Sequence, residues 1–193
     1  IQRLVIDQLH ILGDIYDRGP GAHIILDFME KYHNWDIQWG NHDIIWMGAS
    51  AGNNACICSV IRLSLRYANL VTLEEGYGIN LVPLATFAME TYGDDPCEEF
   101  YPRLTGGSKE MDENTLRLTA LMHKAIAIIQ FKEEGKLFEK HPEWKMQNRA
   151  LFNNIDYEKG TILLDGKEYP LHGNNFPTVD PKHPNELTPE EQD

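Results

Sequence analysis

Apolar positions come first in short runs and then in long periodic stretches. Leu9-His10-Ile11-Leu12 is a brief apolar run closed by Gly13, which predicts a buried strand over 9–12 after a helix ending within residues 1–8. Pro20 predicts the opening of a helix to about Tyr32, with Ile24, Ile25, Phe28 and Met29 as its apolar stripe. Trp35 to Trp39 predicts a second strand. Strand, loop, helix and strand make a βαβ unit, so a parallel sheet with ligands at the carboxyl ends of its strands is expected.

From Ile44 to Tyr92 the period turns helical: Val60, Leu63 and Tyr67 share one face beside Arg62 and Arg66, and Leu81 to Met89 predicts another helix. Residues 93–113 hold seven Asp/Glu against two Lys/Arg and predict a solvated, mobile loop. Leu118, Leu121, Met122, Ala125 and Ile129 predict a long amphipathic helix over 114–139. Asp165-Gly166 inside Thr161–Tyr169 predicts a β-hairpin with a type I′ turn. Five of the ten prolines follow from Pro170 on, which predicts an extended tail. The organisation expected is an α/β core over 1–50, a mostly helical insertion over 51–155, and a hairpin with Pro-rich segment over 156–193.

A net charge of −13 argues against a general nucleic-acid or anionic-membrane surface, while leaving room for an anionic substrate at a locally positive site. Three cysteines, two of them in Cys56-Ile57-Cys58, form neither a disulfide framework nor a zinc spacing and predict reduced thiols of a cytoplasmic protein. No apolar run approaches the ~20 residues of a membrane span. The chain opens without Met on Ile1-Gln2-Arg3-Leu4-Val5-Ile6. It closes on Thr188-Pro189-Glu190-Glu191-Gln192-Asp193, a capping-box helix start, and so reads as a fragment of something longer.

The candidate chemistry lies in Gly13-Asp14-Ile15-Tyr16-Asp17-Arg18-Gly19 and Gly40-Asn41-His42-Asp43, each at the end of an expected strand. Asp14 and Asn41, 27 residues apart, are the expected metal ligands, and hard oxygens mixed with imidazole suit Mn²⁺, Fe or Zn²⁺. Two metals ~3.5–4 Å apart hold a hydroxide and stabilise in-line displacement at phosphorus. His42 is expected to protonate the leaving oxygen, and Asp17, one turn past Asp14, to orient its ring and raise its pKa. Arg18 offers a planar fork for phosphate. Asp43 sits where a helix N-cap falls, and capping is favoured over chemistry. His123 is expected to be a satisfied core residue and His172 a loop residue; His10, His23 and His33 lack partners at ligand spacing, and Lys167 after Gly166 is no P-loop.

The two motifs together resemble the calcineurin-like metallophosphoesterases, in the branch whose first motif runs on into Arg-Gly. The flanking text narrows this: Leu9 through Pro20, Asp36 through Gly48, Leu65 through Leu70, Glu75 through Leu81, Pro83 through Ala88 and Asn175 through Pro181 are similar to the class III fructose-1,6-bisphosphatases of Firmicutes. The resemblance implies part of a metallophosphoesterase sheet core with a large helical insertion, and a manganese-dependent hydrolase removing the 1-phosphate of fructose 1,6-bisphosphate in gluconeogenesis. It implies that Asp14 bridges the metals, Asn41 binds one, Arg18 holds phosphate and Asp17 supports His42. Members are longer and carry an upstream Asp-x-His and two downstream histidine ligands. Asp7-Gln8-Leu9 is not that motif, so the two-metal site is expected to be only partly encoded and these 193 residues alone to turn over little substrate. The rival readings are a protein phosphatase or dinucleotide polyphosphate hydrolase, against which Asp43 stands where protein phosphatases usually show Glu, and a non-catalytic regulatory subunit. The expected partner is a small sugar bisphosphate; the helices over 51–92 and 114–150 are expected to lid the site or to build a contact in a homo-oligomer.

Overall fold

In the computed structural model, β1 (Leu9–Ile11) and β2 (Trp35–Ile37) pair in parallel, with Leu9 opposite Trp35 and Ile11 opposite Ile37. The structure describes residues 5–104, 111–172 and 175–192. The helix expected over 1–8 therefore lies partly outside the described residues. The chain divides into two compact units, Ile1–Leu81 with Pro102–Asp112, and Val82–Tyr101 with Glu113–Asp193. Helical residues outnumber strand residues in a mixed α/β fold.

In the first unit α1 (Ala22–Glu30) crosses from β1 to β2, completing the βαβ unit. Its buried positions are Ala22 and Met29, seven residues apart on one face, and the helix packs against a π-helical turn over Thr72–Gly76. Three members of the expected stripe, Ile24, Ile25 and Phe28, are instead exposed, because the face that finds a neighbour is the one set by Ala22 and Met29. α2 (Asn41–Ser50) packs on α3 (Asn54–Arg66), whose N-terminus is capped by Asn53 Oδ1 accepting the Cys56 amide at 3.0 Å. The boundary expected at residue 50 thus falls between two helices that pack together. Gly48 makes that approach feasible, since a Cβ there would meet Cys56 Sγ at 2.6 Å.

In the second unit α4 (Val82–Tyr92) packs on α5 (Glu113–Lys140). The single apolar stripe expected of α5 is a correction: every residue from Thr119 to Ile128 is buried, His123 and Lys124 included. Three buried polar side chains of α5 find partners in other segments, as burial favours. Lys124 Nζ meets Asp95 Oδ2 at 2.5 Å, Lys132 Nζ meets Glu191 Oε2 at 2.6 Å, and His123 Nδ1 lies 2.8 Å from the Phe100 carbonyl. The expected solvated loop is likewise corrected over its first part. Cys97 is buried, and Asp95 accepts from Lys124, the Cys97 amide and Asn175. Within the same stretch, 105–110 lies outside the described residues.

β4 (Thr161–Leu164) and β5 (Lys167–Pro170) form the expected hairpin, joined by β3 (Ile155–Asp156) on the far side of β4. Asp165 and Gly166 have φ of 47° and 77°, both positive as a type I′ turn demands. α6 (Pro189–Gln192) starts on the expected capping box: the Glu191 amide donates to Thr188 Oγ1 at 3.3 Å and the Thr188 amide to Glu191 Oε2 at 2.9 Å. Among the described residues no helix is long and apolar enough to cross a membrane.

Candidate active site

Parallel pairing puts the carboxyl ends of β1 and β2 side by side, and both motifs leave from there. The Gln38 amide still donates to the Ile11 carbonyl at 2.9 Å, so the ladder runs up to the first residues of the loops. Beyond it the backbones touch. Gly13 has φ of 92°, and a Cβ there would lie 2.5 Å from the Gly40 amide nitrogen, so only glycine fits. A Cβ on Gly40 would in turn overlap the Asp14 carboxylate.

Asp14 and Arg18 bracket the first loop, each in the left-handed region, at φ 53° and 62°. This is an uncommon state for a side-chain-bearing residue and marks a held conformation. The holding groups are visible. The Asp17 amide donates to the Asp14 carbonyl at 3.2 Å, the Gly19 amide to the Asp17 carbonyl at 2.7 Å, and Asn69 Nδ2 to the Gly19 carbonyl at 2.7 Å.

The second loop enters α2 directly, with Gly40 as N-cap. Asp43 is buried at the third helical position, and its carboxylate reaches back to accept the Gly40 amide at 2.9 Å. The capping expected of Asp43 is therefore observed, from inside the first turn rather than at the N-cap. The same carboxylate accepts the Asp14 amide at 2.5 Å and the Tyr16 amide at 3.4 Å. This tie between the motifs went unread in the sequence, although an acid three residues after a glycine cap was a signal for it.

His42 Nε2 lies 3.0 Å from Asp17 Oδ1, and Arg18 Nε meets the same oxygen at 3.0 Å. The His42 side chain is 15% exposed, against 58% for Arg18, so the imidazole is sheltered and the guanidinium faces out. Arg18 also lies over the Tyr67 ring, 5.0 Å from its centroid. The His42 amide donates to Asp14 Oδ1 at 3.2 Å. Asn41 thus sits between Gly40, which abuts the Asp14 carboxylate, and His42, whose amide binds it. All five residues singled out in the sequence, Asp14, Asp17, Arg18, Asn41 and His42, converge on this one loop pair.

Behind the loop stands an aromatic wall that the sequence did not announce. Tyr16 stacks on Trp46 at 4.2 Å between centroids, and its hydroxyl lies 2.5 Å from that of Tyr77. Burial, with the Tyr77 hydrogen bond, pushes the Tyr16 hydroxyl above the usual tyrosine pKa.

Asp14 and Asn41 supply hard oxygen donors of the kind a divalent cation takes, and Gly40 leaves the Asp14 carboxylate its room. Among the described residues, however, no three His, Cys, Asp or Glu side chains come together as a metal-holding group. The pair fits part of a coordination shell and does not complete one.

A family model described as Firmicute fructose-1,6-bisphosphatase matches residues 1–193. The chain belongs to that family. It is 61% identical over 193 residues to a class 3 fructose-1,6-bisphosphatase of Bacteroides thetaiotaomicron and 62% identical to those of Bacteroides fragilis and Clostridium novyi. Each match covers 100% of this chain and 29% of the relative, so the chain spans less than a third of the length of these family members. No solved structure matches it.

Proposed function

We propose that the protein carrying this chain is a metal-dependent phosphomonoester hydrolase that removes the 1-phosphate of fructose 1,6-bisphosphate, on a calcineurin-like sheet core. The observation that carries this reading is the His42–Asp17–Arg18 cluster at the paired strand ends, in a chain of this family. Arg18, exposed and rigidly seated, binds the phosphate oxygens. Asp17 engages His42 Nε2 and fixes the ring, leaving Nδ1 to donate its proton to the departing sugar oxygen. Asp14 and Asn41 are the residues that hold divalent metal, Mn²⁺ by the family resemblance, with further ligands from elsewhere in the longer protein. When bound, the metal supplies Lewis acidity toward the phosphoryl oxygens.

The test is phosphate release by the full-length protein after chelation, with and without added Mn²⁺, on fructose 1,6-bisphosphate, a phosphoserine peptide and diadenosine tetraphosphate. Mn²⁺-restored turnover with the highest kcat/KM on the sugar bisphosphate is expected. Preference for either other substrate, or no turnover at all, contradicts the proposal.

A further inference from the structure

The turn that closes α3 meets the first motif at two consecutive residues. Tyr67 is the C-cap, and the two amides after it fold back in the Schellman pattern. Ala68 donates to the Leu65 carbonyl at 3.2 Å and Asn69 to the Ser64 carbonyl at 2.8 Å. Ala68 is left-handed at φ 52°, in the place usually taken by glycine. The helix end beneath this turn is anchored, since Ser64 and Leu65 are both buried. On one side of Ala68 the Tyr67 ring lies against the Arg18 guanidinium, whose carbon is 5.0 Å from the ring centroid. On the other side Asn69 Nδ2 donates to the Gly19 carbonyl at 2.7 Å. Asp17 Oδ1 takes Nε of the same guanidinium at 3.0 Å. One face and one edge of the planar fork are therefore engaged, and the edge of the two terminal nitrogens is the one left to grip an oxyanion.

An arginine side chain 58% exposed is free to spread over many rotamers, and an anion that binds it then bears the cost of ordering it. The Tyr67 face removes much of that cost beforehand, by attraction between the cation and the ring. The backbone is held as well: Arg18 is itself left-handed at φ 62°, and the Asn69 bond to the next residue steadies it. We propose that Tyr67, delivered by this turn and tied to the loop by Asn69, is a positioning residue that acts through Arg18 to set the affinity of the site for a phosphate group. This rests on the phosphate-binding role given to Arg18 above and adds to it what makes the guanidinium a prearranged fork.

The test uses inorganic phosphate as a competitive inhibitor of the full-length, Mn²⁺-loaded protein, with Ki read beside KM and kcat for fructose 1,6-bisphosphate. Tyr67→Leu, which removes the ring face, is expected to raise Ki by about twofold to fivefold and KM with it. Tyr67→Phe, which keeps the face and loses the hydroxyl, is expected to restore both. In an Arg18→Ala background, itself expected to raise Ki, Tyr67→Leu is expected to add nothing. A ring-fluorinated form of Tyr67→Phe keeps the shape while weakening the negative potential of the face, so it is expected to raise Ki even where Tyr67→Leu folds poorly. An unchanged Ki for Tyr67→Leu or for the fluorinated ring overturns the positioning role. So does an equal loss with Tyr67→Phe, or the same loss with and without Arg18. A parent Ki for Arg18→Ala alone removes the role of Arg18 on which the inference stands. Absence of sugar bisphosphate turnover in the unmutated protein defeats the phosphatase reading itself, and so is told apart from failure of Tyr67 alone.

Discussion

The Asp43 carboxylate of the second motif accepts the Asp14 amide of the first at 2.5 Å, so the start of α2 holds the loop that leaves β1. With the Gly40 and Tyr16 amides it satisfies three backbone donors at once. Asp43→Ala leaves all three unmade in a buried place. We expect a loss of about 3 kcal/mol or more in urea unfolding, with Asp43→Asn losing roughly half as much because one acceptor oxygen remains. A loss under ~1 kcal/mol for Asp43→Ala shows that the tie is dispensable.

Lys132 and Glu191 are both buried, and their ion pair binds the start of α6 to α5. Lys132 Nζ also donates to the Thr178 carbonyl at 2.6 Å. Removing one partner strands a charge, so Lys132→Ala is expected to cost about 3–5 kcal/mol. Lys132→Met combined with Glu191→Leu is expected to recover part of it, because no charge is then stranded although the Thr178 carbonyl and the Thr188 amide lose their partners. A denaturant double-mutant cycle decides the matter, and a pair that proves additive refutes the coupling.

Burial alone would push the Asp95 carboxyl up. Hydrogen bonds from Lys124, Asn175 and Cys97 outweigh that and hold it below the usual carboxylate range. A depressed folded pKa means that Asp95 contributes stability in full above the unfolded value of about 3.9 and loses it as pH falls through the lower folded value. The stability gap between wild type and Asp95→Asn should therefore be constant from neutrality to about pH 5 and shrink below it. Unfolding midpoints across pH 2–7 measure this, and a gap that widens on acidification reverses the sign.

Local chemistry was legible where one or two residues decide the backbone. Asp165-Gly166 dictated its turn, Thr188 and Glu191 their cap, and the Gly-rich motifs their place at the strand ends. Burial was less legible. The burial of Lys124 and Lys132 went unread, since their partners Asp95 and Glu191 lie 29 and 59 residues away in sequence. Ile24, Ile25 and Phe28 read as a core stripe although the packed face of α1 is set by Ala22 and Met29. At the site the five motif residues stood out by type and spacing. Asn69 and Tyr77 did not, because their importance comes from the Gly19 carbonyl and the Tyr16 hydroxyl that they meet only in the folded chain.

The most direct test of the central claim is kcat for His42→Ala in the full-length, Mn²⁺-loaded protein, on fructose 1,6-bisphosphate and on p-nitrophenyl phosphate, with metal content measured alongside. A group that protonates the leaving oxygen matters for a sugar alkoxide and little for the stable nitrophenolate. The expected result is a fall of ~10²–10⁴ on the sugar bisphosphate, a much smaller fall on the nitrophenyl ester, and unchanged metal content. Equal losses on the two substrates, or undiminished turnover of the sugar bisphosphate, contradict the assignment of His42 as the proton donor.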